Sequence, residues 1–216
     1  MNAAGEKITV LLCRDTRAVA PEWAWGQRLC MEFLSAASPG TRIIPLEGQE
    51  RFTVGEALAR VTTDFIGVML DDVVFWDPAG WQGLCEILTH TPRVAVAVPV
   101  SNEATVASQR VAAPFVYHTP SLFRLACQSR RPQYLGQWQE VSAVDSFAFL
   151  CRRIDLERLP LELSLADVPD FFVAHERTLA VALDTYVHRY GRMYAQTRPD
   201  LQAWVPIEAQ RILDVG

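Results

Sequence analysis

The hexapeptide Phe65-Ile66-Gly67-Val68-Met69-Leu70 runs without a polar residue straight into two adjacent acids, Asp71 and Asp72. Six apolar or glycine residues are too few for a typical helix and suit a strand covered on both faces. A second apolar run, Val73 to Trp76, follows before Asp77-Pro78 breaks it. A strand buried on both sides belongs to a sheet with helices above and below, and in open α/β sheets ligands bind outside the carboxyl ends of such strands. Two carboxylates at that edge suit a hard divalent cation, Mg²⁺ or Mn²⁺, of the kind that bridges phosphates. A solvated Asp-Asp turn is the plainer alternative.

The flanking chain repeats the same alternation. Lys7 to Cys13 reads as a buried first strand ending in Arg14-Asp15-Thr16, and Glu22 to Ala37 as a helix ended by Pro39-Gly40. Thr41 to Leu46 is the second strand, with Glu47-Gly48 at its end. Thr53 to Val61 is a helix whose Val54, Leu58 and Val61 share one face. After the acids, Pro78 to Leu88 is expected to be helical. Arg93 to Val100 is the fourth strand and turns into Ser101-Asn102-Glu103. Strands alternating with helices of about ten residues imply a mainly parallel sheet with helices on both faces.

Beyond Asn102 the alternation fades. Val111 to Tyr117 is a strand candidate, Ser121 to Arg130 a helix, and Arg130 to Trp138 a loop. Val144 to Cys151 reads as a strand followed by Arg152-Arg153 and a short helix through Leu159. Asp167 opens a helix to about Glu176, and Thr178 to Val187 is the last strand, closed by His188-Arg189-Tyr190-Gly191. Helical character in the tail runs from Ile207 to Leu213.

Composition sets the boundaries. A chain of 216 residues, half of them hydrophobic, can bury the core of one domain. A formal charge of −5 argues against a protein built to bind nucleic acid or an anionic membrane. Five scattered cysteines without a CxxC pair read as buried free thiols rather than a disulfide framework. No apolar run reaches the length of about 18 residues that spans a bilayer, and the N-terminus lacks a signal-peptide pattern, so a cytoplasmic protein is expected. GxxxxGK[ST], GxGxxG and GxSxG motifs are all absent, which disfavours P-loop, dinucleotide-binding and α/β-hydrolase readings.

Several separated landmarks, taken in order, resemble the family-two glycosyltransferases of GT-A fold. They are the strand and polar turn Ile8 to Asp15, the strand and acids Phe65 to Asp72, Pro99-Val100-Ser101-Asn102, the strand and paired arginines Phe147 to Arg153, an acidic helix start, and Val187-His188-Arg189-Tyr190-Gly191. The match spans roughly residues 7 to 191. In it, Leu70 stands where the family often has the first acid of its metal motif, and Asp145-Ser146 where a glycine often precedes the acceptor-side strand.

The resemblance implies one GT-A-like α/β domain, with a mainly parallel sheet, helices on both faces and a small antiparallel acceptor-side portion. Residues 7–102 would form the nucleotide-sugar half, 103–191 the acceptor half and 192–216 a tail. It implies metal-dependent, inverting transfer of a sugar from a nucleotide-diphosphate sugar to a glycan, lipid or protein hydroxyl. Asp72, with Asp71 and His188, would hold Mn²⁺ or Mg²⁺ as a Lewis acid against the departing diphosphate. Asp15, Glu47, Asp71 and Asn102 are the donor-contacting candidates. Asp170, then Asp167, is the candidate general base.

Each has a bland counterpart. An acid in the first turn of a helix is favoured by the dipole alone, His188 by itself suits a structural histidine, and Asp15 and Glu47 suit turns. Trp76, Trp81 and Trp138 could stack on sugar or pack in the core, and the paired arginines could steer a diphosphate or face solvent. The competing reading is a noncatalytic glycosyltransferase-like module that binds a partner or glycan. A homodimer is left open.

Overall fold

The computed structural model describes residues 7–13, 30–32, 34–35, 41–46, 52–75, 79–112 and 120–189. The expected strands at the start of the chain form as β1 (Ile8–Cys13), β2 (Thr41–Leu46), β3 (Phe65–Leu70) and β5 (Val94–Ser101), with a two-residue β4 (Val73–Val74) after the acids. The helices are α1 (Val54–Arg60), α2 (Gly80–His90), α3 (Pro120–Tyr134), α4 (Arg153–Leu156) and α5 (Val168–Ala174), the last preceded by a 3₁₀ turn at Leu165–Asp167. Three further strands complete the set: β6 (Trp138–Val141), β7 (Ala148–Arg152) and β8 (Thr178–Arg189). Within the expected first helix, residues 30–32 and 34–35 are helical; its remainder and the C-terminal tail lie outside the described residues.

All eight strands join one sheet in the order β2-β1-β3-β7-β5-β8-β4, with β6 also on β8. β1, β2, β3, β5 and β8 share one direction, while β4, β6 and β7 oppose it. β7 starts near the carboxyl edge, with Ala148 opposite Met69, and runs back to the amino edge, where Arg152 lies opposite Phe65. The structure is thus a single α/β domain with a mixed, mostly parallel sheet flanked by helices.

Alternation along the strands divides the core in two. Leu11, Ile66, Val68, Phe149, Cys151 and Val181 face one side, where Val54 and Ala57 of α1, Val168 and Phe172 of α5 and Cys127 of α3 cover them. Val10, Leu12, Met69, Leu150 and Ala180 face the other, under Trp81, Leu84 and Leu88 of α2 and Cys30 and Leu34. β5 lies between both layers, and each of its eight residues is buried. A capping box starts α1: Thr53 Oγ1 accepts from the Glu56 amide, and the Glu56 carboxylate accepts from the Thr53 amide.

Three sequence expectations are corrected. Of the expected loop 130–138, only 135–137 lie outside helix and strand, because α3 continues through Pro132 to Tyr134. Proline normally ends a helix. Here the last turn is tied down by Arg130, which stacks over Tyr134 at 4.3 Å and donates from Nε to the Leu183 carbonyl at 2.8 Å. Trp138–Val141 is a strand that pairs antiparallel with β8. Its central Gln139 and Glu140 are exposed, so it carries little apolar pattern. The strand expected from Val144 begins at Ala148, because Asp145 is bound into a loop described below. Of the strand candidate Val111 to Tyr117, Val111 and Ala112 are not extended in a ladder, and 113–117 lie outside the described residues.

Trp81 is a core residue, stacked on Phe75 with ring centroids 4.7 Å apart. That stack needs Gly80: a Cβ there would sit 2.5 Å from Phe75 Cε1 and 3.1 Å from Thr185 Cγ2. At Gly83, one turn on, the nearest atom would be 3.6 Å away. Gly80→Ala should therefore lose about 1–3 kcal/mol to overpacking, against a helix-propensity gain of at most about 1 kcal/mol. Gly83→Ala should be neutral or stabilising. Urea denaturation of both variants checks this; equal midpoints would show that Phe75 yields without penalty.

Candidate functional site

Because five strands run in one direction, their carboxyl ends meet at one edge. Cys13 ends β1 opposite Leu46 of β2 and Leu70 of β3, and Ser101 of β5 lies opposite Val187 of β8. The acids Asp71 and Asp72 follow β3 directly at this edge, Asn102 follows β5, and His188 and Arg189 end β8. The sequence alone could not place the end of β8 beside Asp72. β4 does so by pairing antiparallel with β8, Val73 opposite Arg189 and Val74 opposite His188.

Asp72 is buried, with 3% of its side chain exposed, and is met by Arg189. The guanidinium donates to Asp72 Oδ2 from Nη2 at 2.7 Å and Nε at 3.2 Å. Phe147 lies beneath it, 5.0 Å from ring centroid to Cζ. Removing one partner of a buried pair leaves an uncompensated charge and typically costs about 3–5 kcal/mol. The arginine is fixed from its other side by Asn102. The Asn102 side-chain oxygen accepts from the Arg189 amide at 2.8 Å, and its Nδ2 donates to the Arg189 carbonyl at 3.2 Å. Asn102 thus extends the β5–β8 ladder by one step with its side chain.

Asp71 is also buried, and its amide donates to the Cys13 carbonyl at 2.9 Å. Its charge is felt by two buried thiols. Burial, reinforced by Asp71, pushes Cys13 up to about 12, and burial with Asp71 and Asp72 raises Cys30 as well. Both thiols stay protonated at neutral pH, and Cys30 donates to the Val73 carbonyl. All five cysteines are free.

Alternation along β8 turns His188 to the opposite face from Arg189. Burial holds the imidazole down to about 4. Among the described residues, no group of three or more His, Cys, Asp or Glu comes together in a way that could hold a metal ion. A cation against Asp72 Oδ2 would have to displace the guanidinium. Asp72, Asp71 and His188 are therefore not gathered into a metal-holding set among the described residues. Asp15 and Glu47 lie outside the described residues, one just beyond β1 and the other just beyond β2.

Asp167 and Asp170 are exposed at the start of α5, Asp167 as its N-cap and Asp170 in its first turn. Leu165 donates to the Phe52 carbonyl, and Ser164 bridges Thr53, so this segment is tied to the start of α1. α1 leads from the carboxyl end of β2 back to the amino end of β3, so its start is the end nearer the Asp72 edge. No hydrogen bond joins either acid to Asp72 among the described residues.

The loop after Asn102 is ordered by residues that motif reading passed over. Asp145 accepts from the Thr105 amide and hydroxyl and from the Val106 amide. Gln109, fully buried, donates to the Pro99 carbonyl at 3.0 Å and accepts from the Asp145 amide at 2.8 Å. Asp145 thus anchors the loop that follows Asn102. Its only sequence signal was its place where a glycine often stands.

The paired arginines separate. Arg152 lies opposite Phe65, at the amino end of β3 and so at the edge away from Asp72. It binds Asp155 at 2.7 Å and the carbonyls of Leu88, Pro92 and Val94. Arg177 joins it on Asp155 at 3.4 Å. An open cavity of about 660 Å³ lies at this edge, lined by Arg152, Arg177 and Asp155 among others. The half-buried guanidinium groups of Arg152 and Arg177 already serve Asp155 and backbone carbonyls.

No protein-family model matches the sequence, and no curated protein matches it. Among solved structures, A197 from STIV aligns over 84% of this chain and 85% of its own, with a TM-score of 0.54 at 11% identity. Glucosyl-3-phosphoglycerate synthase from Mycobacterium tuberculosis, crystallised with Mn²⁺, UDP-glucose and phosphoglyceric acid, aligns over 93% of this chain and 76% of its own (TM-score 0.44, 16% identity). A glycosyltransferase involved in glycosylation of the major capsid of PBCV-1 aligns over 77% and 66% (TM-score 0.34, 9% identity). At 11% identity the likeness to A197 is one of fold.

His188 gives a pH test of the site. Its folded value near 4 lies below the ordinary 6.5, so between these two the unfolded chain binds a proton that the folded chain does not. Stability should be full above pH 6.5 and fall as pH drops toward 4, by up to about 3 kcal/mol. Denaturant unfolding at intervals across that window, with His188→Gln as the comparison, measures it. A variant as acid-sensitive as the wild type would assign the loss to other groups. The buried acid–arginine pair lies at the carboxyl edge of a mixed, mostly parallel sheet in an α/β domain whose fold is similar to that of A197 from STIV.

Proposed function

We propose that this chain transfers a sugar, with inversion, from a nucleotide-diphosphate sugar to an acceptor hydroxyl. The observation that carries the reading is the convergence of Asp71, Asp72, Asn102 and Arg189 at the carboxyl edge of the parallel strands, where α/β sheets take their ligands. The nucleotide would lie across the ends of β1 and β2, and Asp15 and Glu47, which follow those strands in the sequence, would supply acceptors for ribose and base. The diphosphate would lie toward β3 and β8.

A single displacement inverts the anomeric carbon. The acceptor oxygen bonds to C1, the C1–O bond to the β-phosphate breaks with its electron pair leaving on the diphosphate, and the hydroxyl proton passes to a carboxylate. Asp170 and Asp167 are the candidate bases. Both are exposed, as a group that must meet an incoming acceptor has to be, and both lie on a segment tied to the edge-side start of α1. The acceptor would enter over the loop anchored by Asp145.

The test is turnover of UDP- and GDP-sugars, followed as release of the nucleoside diphosphate. Asp170→Asn or Asp167→Asn should lower kcat by about 10²–10⁴-fold while leaving nucleotide affinity within a few-fold. If the chain binds neither nucleotides nor nucleotide sugars, the noncatalytic module becomes the better reading.

A further inference from the structure

We propose that Arg189 is the diphosphate-binding group of this site and stands where a divalent cation would, so that donor binding needs no metal ion. The inference rests on the nucleotide-sugar reading above and adds to it the identity of the positive charge.

Four observations converge. First, Arg189 already occupies Asp72 through two donors on one oxygen, so an ion and the guanidinium would compete for the same carboxylate. Second, the arginine is the outer member of the pair: its side chain is 16% exposed against 3% for Asp72. Third, only Nε and Nη2 are engaged. A guanidinium has five N–H donors, and Nη1 has no partner among the described residues, which leaves a planar edge for phosphate oxygens. Fourth, the group is held in place before any ligand arrives. Asn102 grips its backbone on both sides, Phe147 supports its plane, and β4 fixes the end of the strand that carries it.

Asp72 becomes a positioning residue in this arrangement. It holds the guanidinium and does not touch the diphosphate. Asp71 is buried too, its amide bonded to the Cys13 carbonyl, and the guanidinium is the more exposed member of the Asp72 pair.

Calorimetric titration of the full chain with UDP, GDP, ADP, CDP, dTDP and inorganic pyrophosphate, each in EDTA and in Mn²⁺, tests the proposal. The expected result is that one nucleotide binds with Kd values in EDTA and Mn²⁺ within about threefold of each other. Arg189→Met with Asp72→Asn removes both charges and avoids leaving one buried alone. If this double variant melts cooperatively, its Kd in EDTA should rise about tenfold or more, and Arg189→Lys, which keeps the charge without the fork, should fall between. Binding that appears only with Mn²⁺ overturns the proposal and leaves the donor site standing, because a cation rather than Arg189 alone must then hold the diphosphate. Wild-type affinity in the double variant overturns it too. Failure of every nucleotide and of pyrophosphate, with and without Mn²⁺, overturns both this proposal and the transferase reading. The wild-type comparison of EDTA with Mn²⁺ separates these outcomes even if no variant folds.

Discussion

A sheet buried on both faces can meet a ligand only at its edges, and this constraint arranges the whole molecule. β5 has no exposed residue, and β1, β3 and β7 alternate between two apolar layers. A charged side chain on either face would have to give up its hydration without a partner, which is prohibitive. Asp184, buried within β8, has such partners in the Gly136 amide and the Thr185 hydroxyl; most other charged residues of the sheet stand at strand ends, and the chain sorts them. Arg152, Arg177 and Asp155 close the amino edge against backbone carbonyls. The carboxyl edge receives Asp71, Asp72, Asn102 and the end of β8.

Within that edge, the burial of Asp72 dictates the next layer of structure. A carboxylate this far from water has to be neutralised or protonated, and a guanidinium does the first with directed hydrogen bonds. Supplying it requires β8 to run past the end of its pairing with β5, and β4 and the Asn102 side chain make that extension possible. The irregular register between Pro99 and Val100 of β5 and their partners on β8 lies just before this point. The ladder is bent there by an extra stretch of β8, consistent with a bulge that re-aims the strand end.

Much of the scaffold was legible in the sequence because burial on two faces leaves uninterrupted apolar runs. Phe65–Leu70 and Val94–Ser101 were legible almost residue for residue, and so was the helix that Thr53 caps. What failed had a physical cause each time. β6 is held by its partner rather than by its own pattern. Pro132 is tolerated because Arg130 anchors the last turn of α3 from outside the helix. At the site, the positions of Asp71 and Asp72 at a strand end were legible, since an apolar strand must stop where two charges begin. Arg189 was not, because its meaning depends on a contact across 117 residues of sequence. Asp145 and Gln109 were missed for the same reason.

The sequence by itself determined that the chain forms an α/β sheet, where its first three strands end and that the third runs into two acids, because those properties follow from local runs of apolar side chains and the charges that interrupt them. Only the tertiary structure decided which charges meet. It placed Arg152 at the amino edge, set Arg189 against Asp72, turned His188 to the opposite side of the same strand, and gave Asn102 to the backbone of Arg189. Pairing of this kind depends on strand order, register and the two-residue alternation of β8, and no local stretch of sequence carries that information.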